Sequence, residues 1–376
     1  MPLNPGEAAR VLLAIAAAAL VLSVLHYVFW QWKLGVSPGE DELLRAPTRD
    51  GWSLALGHRH PRGAAPRWPP VLLVHGIAMN RQAFDFGVER YSVAAHLAAA
   101  GFDCYALDLR GHGASRRGPH ARWNLDTYLR EDLPAALDTI RARTGAPQVL
   151  YVGHSQGAIL GLAACALYPE RIRAVVALAG PAHFDVQERL KKLVALRRAG
   201  LGRFVRLAAR MIAPFSGYWH PAVAELAVHM RNVERPIYRR VLANAIENLQ
   251  PGVLEQFATF IAEDSFRAMD GSQDYRALLG RCRQPALFVS AEKDGLAPPP
   301  VVEAAFRRWG GPKRYWASGR DYGHLDLLVG RNAPEVVYPM IRDFLLEQSA
   351  GAAGSAGAGA AGGPDRLGRE ARRSFE

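Results

Sequence analysis

The chain has 376 residues, and an apolar content of 49% with 22% charged residues excludes a largely disordered protein. Its formal net charge is +11, but it carries no helix-turn-helix, zinc-finger or RNA-binding signature, so we expect no nucleic-acid partner. The three cysteines Cys104, Cys165 and Cys282 are too few and too scattered for a disulfide scaffold or a zinc site. We therefore expect neither a metal nor a cofactor.

The first distinctive segment is the uncharged run of residues 11–32, which follows a short flank of residues 1–10. A helix of that length spans the hydrocarbon core of a bilayer, which is about 30 Å thick. Aromatic residues that suit a membrane interface crowd one end of it, namely Tyr27, Phe29, Trp30 and Trp32. The run predicts a single-pass membrane anchor, with the side of the membrane undetermined.

Two other interpretations of residues 11–32 compete with the anchor. A cleaved signal peptide would carry its small residues after the apolar run, whereas here they lie inside it with no A-x-A pattern following. A buried core helix would show a polar face, and this segment offers only Ser23 and His26. Whether the segment is cleaved stays open, although both observations favour an anchor.

The remaining chain divides into a working domain, residues 38–348, and a Ser/Ala/Gly-rich tail with a charged end, residues 349–376, which we predict to be flexible. Within the domain, short apolar runs alternate with helical stretches. The predicted strands are Trp52–Gly57, Val71–His75, Phe102–Leu107, Val149–Gly153, Ala174–Ala179, Ala286–Ala291 and Arg314–Ser318. The clearest helices are Asp126–Thr144, capped by Asp126 and ended by Gly145, then Ser155–Leu167 and Ala333–Gln348.

This alternation predicts an α/β fold with a doubly wound, mostly parallel sheet. Residues 183–275 contain helical patterns and no convincing strand. An insertion of that length is too long for a plain connection, so we expect a helical cap placed before the predicted strand Ala286–Ala291.

The strongest chemical signal is Gly153-His154-Ser155-Gln156-Gly157, which lies between a predicted strand and a predicted helix. A nucleophile elbow needs a sharp turn with very small flanking residues, and Gly153 and Gly157 meet that demand. Ser155 would stand at a helix N-terminus, where developing negative charge is stabilised. This context favours Ser155 as a nucleophile over a chance match to the pattern.

A serine nucleophile needs a base, and the base needs an orienting acid. Asp294 follows the predicted strand Ala286–Ala291, and His324 follows the last predicted strand, so their order and placement suit these roles. Asp185 is the alternative acid, whereas Glu292 lies closer to the strand end and is less favoured. A turn aspartate and a surface loop histidine are the non-catalytic interpretations.

An oxyanion hole is expected where Val74-His75-Gly76-Ile77 ends another strand. We assign it to the backbone N–H groups of Ile77 and Gln156. His154 is expected to pack against the sheet, and the glycine-punctuated turn from Arg110 to Ser115 is interpreted as structural.

Taken in order, residues 48–180 and 285–345 resemble an α/β-hydrolase of the serine esterase or lipase type. The shared motifs are Thr48–Trp52, His75-Gly76, Arg110–Ser115, Gly153–Gly157, Asp294 and Gly323–Asp326. Acid-lipase-like and bacterial esterase branches are the most similar. The resemblance implies a triad of Ser155, Asp294 and His324 and hydrolysis of acyl esters, while the cap departs from the pattern and sets substrate choice.

The predicted cap holds a basic segment, residues 189–210, with eight Lys or Arg residues, no acid, and apolar residues at helical spacing. Such a segment could lie on an anionic membrane surface or could be an ordinary cap helix with a solvated charged face. The overall hypothesis is a membrane-anchored serine hydrolase acting on esters with an apolar acyl chain. Acyl transfer, thioester or amide cleavage, and a non-catalytic scaffold are the alternatives, and the oligomeric state stays undetermined.

Overall fold

The computed structural model describes residues 4–63, 66–116, 118, 122–184, 191, 200–319 and 321–356. Eight strands form one sheet in the order β1-β2-β4-β3-β5-β6-β7-β8. Their bounds are β1 Glu42–Pro47, β2 Ser53–Arg59, β3 Val71–Val74, β4 Cys104–Asp108, β5 Val149–His154, β6 Ile172–Leu178, β7 Ala286–Ser290 and β8 Lys313–Ala317.

The sheet is parallel from β4 across to β8, whereas β1 and β2 are antiparallel to their neighbours. The expected mostly parallel α/β sheet is thus confirmed, and each of the seven predicted strands has a counterpart shifted by at most a few residues. Strands β3, β5, β7 and β8 all end at the same edge of the sheet, which is where ligands and catalytic groups collect in such folds.

Strand β1 was not predicted from the sequence. Its six residues alternate imperfectly between charged and apolar types, and several remain exposed because β1 is an edge strand. Its pairing with β2, in which Glu42 faces His58, follows from a tight turn at Thr48–Trp52, where the Thr48 amide donates to the carbonyl of Trp52 over 2.9 Å.

Twelve helices accompany the strands in the described chain. They are α1 Pro5–Leu34, α2 Val93–Ala99, α3 Leu125–Thr127, α4 Leu133–Thr144, α5 Gln156–Leu167, α6 Val205–Ile212, α7 Arg235–Asn244, α8 Pro251–Glu263, α9 Tyr275–Leu278, α10 Pro299–Arg308, α11 Asp326–Val329 and α12 Ala333–Ala356. Short 3₁₀ turns lie at Arg81–Ala83, Glu89–Tyr91, Gly113–Ser115, Leu201–Phe204, Ala213–Phe215, Ala222–Leu226 and Leu279–Arg281. One buried core contains residues of the sheet and of the helices packed against it, including α2, α4, α5 and α12.

The predicted continuous helix Asp126–Thr144 is instead interrupted by a π-helical segment, Tyr128–Asp132. Pro134 lies in the first turn of α4 and has no N–H to donate to a carbonyl of the preceding turn. The loss of that hydrogen bond accounts for the wider π-helical turn there. The predicted N-cap was wrong: Asn124 caps α3 by accepting from the Thr127 amide. The Asp126 carboxylate instead accepts from the side chains of Gln256 and Tyr275, so it joins this helix to α8 and α9.

The end of α12 also differs from the prediction. The helix was expected to stop at Gln348, but it continues to Ala356. The alanines in this extension are the best helix formers and outweigh its glycines, and the Ser349 hydroxyl bonds back to the carbonyl of Leu345 over 2.7 Å. The rest of the predicted flexible tail, residues 357–376, lies outside the described residues.

Between β6 and β7 the described residues of the predicted cap form α6, α7, α8 and α9 with intervening 3₁₀ turns, and no strand of the sheet lies among them. Of the basic segment 189–210, only Lys191 and residues 200–210 are described. A second, smaller buried cluster joins α6 and α7 to the end of α1 through Leu34, Ala209, Ala213, Tyr238 and Leu242.

Helix α1 is long and apolar enough to cross a bilayer, and its most apolar stretch is not buried against the rest of the molecule. It begins before the predicted span, at a capping box in which the Asn4 side chain accepts from the Glu7 amide and Glu7 accepts from the Asn4 amide. A signal sequence can share this length and composition.

Candidate active site

Ser155 lies at the sharp turn between β5 and α5, with φ 54° and ψ −119°. A residue with a Cβ rarely adopts this positive φ, so the turn is a strained one that its surroundings must hold. The Ser155 amide is fixed by a 2.8 Å hydrogen bond to the carbonyl of Leu178 in β6. Its side chain is partly exposed at the carboxyl edge of the sheet.

The two glycines that flank Ser155 are needed because backbone packs directly against them. A methyl group on Gly153 would lie 2.3 Å from the carbonyl oxygen of Gly157. A methyl group on Gly157 would lie 2.0 Å from the carbonyl oxygen of Val74 and 2.8 Å from that of His75. The elbow therefore requires glycine at both positions on steric grounds.

The end of β3 lies against the elbow. A methyl group on Gly76 would approach the Cβ of Ser155 to 3.1 Å, so the residue before Ile77 packs against the Ser155 side chain. The Ile77 N–H has no hydrogen-bond acceptor among the described residues. Gln156 is the first residue of α5, where backbone N–H groups lack a partner one turn back. Both amides can therefore donate to a bound group.

The loop that carries Ile77 is held by the segment after α7. The Glu247 amide donates to the carbonyl of Ala78 over 2.8 Å, and the Asn80 amide donates to the carbonyl of Ala245 over 3.1 Å. Ala78 has a positive φ of 54°, a strained conformation that these two hydrogen bonds stabilise.

Asp294 and His324 are brought together after β7 and β8. The Nδ1 atom of His324 lies 2.6 Å from Oδ2 of Asp294, and both side chains are buried. The other carboxylate oxygen, Oδ1, accepts the amides of Leu296 and Ala297, each over 2.8 Å. Three donors thus fix the orientation of the carboxylate, and the carboxylate in turn fixes the imidazole.

Of the two alternative acids, only Glu292 lies among the described residues. Glu292 is exposed at the surface, and it does not contact His324 among the hydrogen bonds of the described chain. Asp185 lies outside the described residues.

His154 does more than pack against the sheet. Its Nε2 atom lies 3.0 Å from the carbonyl oxygen of His324, and the two rings are 4.6 Å apart. Burial lowers the pKa of His154 well below the ordinary value, with the nearby His324 acting in the same direction. A neutral His154 donates its Nε2 proton to the His324 carbonyl and so supports the loop that carries the candidate base.

His75 is a second buried imidazole near the site. Burial lowers its pKa to about 4, although a hydrogen bond to the Gly76 carbonyl opposes the shift. Its other nitrogen accepts the amide of Leu109 over 3.2 Å. His75 is therefore neutral near pH 7 and holds the loops after β3 and β4 together.

One segment of the predicted cap holds both loops that carry the candidate acid and base, which the sequence does not reveal. The carbonyl of Leu226 accepts the amide of Gly295, next to Asp294, over 2.9 Å. The carbonyl of Ala227 accepts the amide of Leu325, next to His324, over 2.8 Å. No side-chain pattern encodes these backbone contacts, so only the folded chain could reveal them.

Asp326 is a further missed residue, although it belongs to the quoted Gly323–Asp326 motif. Its Oδ2 atom accepts the amide of His229 from the cap over 3.1 Å. Burial raises the pKa of Asp326 to about 6, while the backbone amides of His229 and Gly323 oppose the shift. Its position two residues after His324 makes it a link between the cap and the candidate base.

Comparison with known proteins agrees with this fold. The family model described as alpha/beta hydrolase fold matches residues 69–330, more than half of the chain. The chain belongs to the α/β-hydrolase family. The matched range contains Ser155, Asp294 and His324 of this α/β-hydrolase, together with the loop that carries Ile77.

Among curated proteins, human lysosomal acid lipase/cholesteryl ester hydrolase is 34% identical over 160 residues, which is 38% of this chain and 39% of the lipase. Human lipase member K is 24% identical over 348 residues, or 77% of this chain and 84% of the relative. The match to the acid lipases therefore spans about two fifths of their length.

Among solved structures, a hydrolase from Pseudomonas aeruginosa has a TM-score of 0.58 at 22% identity, covering 81% of this chain and 98% of that structure. A thermophilic esterase from Thermogutta terrifontis has a TM-score of 0.57 at 20% identity, covering 82% and 99%. At these identities the likeness establishes the α/β-hydrolase fold alone.

Proposed function

We propose that this α/β-hydrolase is a membrane-anchored serine esterase that cleaves carboxylic esters with an apolar acyl chain. The observation that carries the proposal is the buried Asp294–His324 pair, joined over 2.6 Å. His324 contacts His154, the neighbour of a serine held in a strained elbow, through its carbonyl over 3.0 Å. The relatives named as lipases, including one named for cholesteryl esters, support a lipid ester as substrate.

In the proposed reaction, Ser155 Oγ attacks the acyl carbonyl while Nε2 of His324 takes its proton. The Ser155 hydroxyl has no hydrogen-bond partner among the described residues, which leaves it able to bond the imidazole as substrate binds. Asp294 accepts a hydrogen bond from Nδ1–H of His324 and stabilises the imidazolium. The Ile77 and Gln156 amides hold the oxyanion, and His324 returns the proton to the leaving alkoxide.

The second half repeats these steps with water. His324 removes a proton from a water molecule, which attacks the acyl-enzyme carbonyl, and the same two amides hold the second oxyanion. Collapse of this intermediate releases the carboxylic acid and returns the proton to Ser155. Apart from the ester and the water, the groups in this route are side chains and backbone amides of the chain.

The test is covalent labelling of the full chain with a fluorophosphonate, which reacts with activated serines. We expect labelling of the wild type, none of Ser155→Ala, and unchanged labelling of Ser53→Ala, which removes an exposed hydroxyl from β2. A chain-length series of p-nitrophenyl esters then measures the acyl preference. A folded wild type that neither reacts nor hydrolyses any of these esters would refute the proposal.

The membrane part of the proposal is supported by the contacts at the end of α1. The Arg210 guanidinium of α6 donates to the Tyr27 hydroxyl over 3.2 Å, and Arg239 of α7 lies 5.2 Å from the ring of Trp30. The ring of His26 stacks on Phe215 with centroids 5.6 Å apart. If α1 crosses the bilayer, these contacts hold the cap at its surface.

The cap segment that contacts α1 also exposes large apolar side chains. They are Leu201, Phe204, Leu207, Phe215, Tyr218, Trp219 and Val223. Aromatic residues of this kind beside basic ones suit a membrane interface. A cap that lies in the interface would bring lipid esters to Ser155 directly from the bilayer.

The double variant Phe215→Ser with Trp219→Ser is expected to lose about tenfold in the rate on a long-chain ester embedded in phosphatidylcholine proteoliposomes, because less apolar surface inserts. Its rate on soluble p-nitrophenyl acetate is expected to stay unchanged. Val336→Ser, which alters an exposed apolar residue of α12, is the matched control. Equal loss on both substrates would argue against an interfacial role for the cap.

A further inference from the structure

Three potential metal ligands meet at the edge of the sheet formed by β1 and β2. One ligand atom from each of Glu42, His58 and His60 lies within 4.8 Å of the others. Glu42 faces His58 across the antiparallel pair, and His60 follows two residues after His58, so its side chain returns to the same face. The register of two strands thus creates a cluster that is not contiguous in sequence.

The buried member of the cluster carries an unpartnered nitrogen. His58 is 2% exposed, and its Nε2 atom lies 2.6 Å from Oδ1 of Asp103. Its Nδ1 atom has no hydrogen-bond partner among the described residues and lies 3.5 Å from Oε2 of Glu42. A neutral imidazole that donates Nε2–H to Asp103 presents a bare lone pair at Nδ1. That lone pair faces a carboxylate, and a cation between them would satisfy both.

The imidazole is also held rigidly. Asp103, which accepts from His58, accepts a second hydrogen bond from the Tyr105 hydroxyl over 2.7 Å. The Tyr105 ring stacks on His58 with centroids 4.3 Å apart and planes inclined by 10°. A carboxylate that orients a ligating histidine through its other nitrogen is the usual support of a protein-bound metal.

We propose that Glu42, His58 and His60 bind a late first-row divalent cation such as Zn²⁺, with water in the remaining position. Imidazole and carboxylate groups are ligands that such ions prefer. Three protein ligands and one water molecule together give the four-coordinate geometry that is usual for Zn²⁺. No metal was expected from the sequence because no set of Cys and His residues has zinc-ligand spacing, and this cluster combines a carboxylate of β1 with two histidines from the β2 segment.

One contact opposes the cation and must change on binding. The guanidinium of Arg143 donates to Oε2 of Glu42 over 2.9 Å. Both side chains are close to half exposed, so this ion pair is worth little in water, and Arg143 can move into solvent when a metal takes its place.

The site lies far from the catalytic edge of the sheet. His58 pairs with Tyr105 near the start of β4, whereas the catalytic groups follow the opposite ends of the parallel strands. A cation here would join the edge strand β1 to β2. Its expected effect is therefore on stability, since a ligand that binds only the folded state raises its melting temperature.

The test uses the full chain in detergent, without a histidine tag and after chelator treatment, titrated with Zn²⁺ by calorimetry. We expect one equivalent to bind and the melting temperature to rise. His60→Ala and Glu42→Gln should each weaken affinity by about tenfold or more. Asp103→Asn, which alters the support of His58 and removes no ligand, should weaken it by about 10- to 100-fold. Esterase activity should stay unchanged in His60→Ala.

The matched control is the double variant His220→Ala with Glu225→Gln. It removes a different His–Glu contact, which is exposed and 3.2 Å long, from the predicted cap. It should bind Zn²⁺ as the wild type does. Replacing Zn²⁺ with Co²⁺ should give visible absorption of a four-coordinate site that His60→Ala abolishes. A folded wild type that binds no Zn²⁺, or a His60→Ala variant with undiminished affinity, would overturn the assignment.

Discussion

Asp294→Asn is expected to lower kcat for ester hydrolysis by about 10⁴-fold while the protein stays folded. Oδ1 of Asp294 accepts two backbone amides, from Leu296 and Ala297. Only the oxygen of an asparagine side chain can keep those bonds, so its NH₂ group must face Nδ1 of His324. The imidazole then becomes an acceptor at Nδ1 and carries its proton on Nε2, where it can no longer accept the proton of Ser155.

Steady-state kinetics with a p-nitrophenyl ester measure this loss. Glu292→Gln is the matched control, because it neutralises the exposed carboxylate nearest in sequence, and it should retain wild-type kcat. Retained activity in Asp294→Asn together with loss in Glu292→Gln or Asp185→Asn would transfer the orienting role to another acid.

Gly157→Ala is expected to have the largest effect on stability, lowering the free energy of unfolding by about 3 kcal/mol or more. The new methyl group would meet the carbonyl oxygens of Val74 and His75 at 2.0 and 2.8 Å. Both belong to the end of β3, which is fixed on either side by β4 and β5. The clashing atoms belong to rigid backbone and not to a flexible side chain. The clash can therefore be relieved only by displacing the elbow.

Urea denaturation of wild type and variant measures this difference. Gly319→Ala is the control, since a methyl group there meets no atom within 4 Å and its φ is not positive. An unchanged unfolding midpoint for Gly157→Ala would mean that the elbow is looser than the strained φ of Ser155 implies.

The α/β sheet was predictable because its central strands are continuous apolar runs, and each run corresponds to an observed strand. Strand β1 was not, because an edge strand needs only partial burial and its pattern is weak. The helix Asp126–Thr144 was predicted from its apolar face, but the interruption at Tyr128–Asp132 depends on how one proline is accommodated.

The candidate triad could be located from sequence because each member follows a strand in a fixed order. The backbone contacts that hold the loops of the candidate triad could not be predicted from the sequence. The Leu226 and Ala227 carbonyls bond to the catalytic loops through the backbone, and backbone contacts leave no mark on residue type. The cluster of Glu42, His58 and His60 was hidden for a related reason, since it exists only through the register of β1 and β2.

The side chain of Asn244 has a consequence for the kinetics of the anchored enzyme we propose. Its Nδ2 donates to the carbonyl of Leu34 over 3.0 Å, and its Oδ1 accepts the amide of Val36 over 3.2 Å. The end of α1 is thus bonded directly to α7, so the proposed anchor would leave the catalytic domain no linker to give it reach. Such an enzyme meets its substrate by lateral diffusion in two dimensions. Its rate would then follow the mole fraction of ester in the surrounding lipid rather than the bulk concentration.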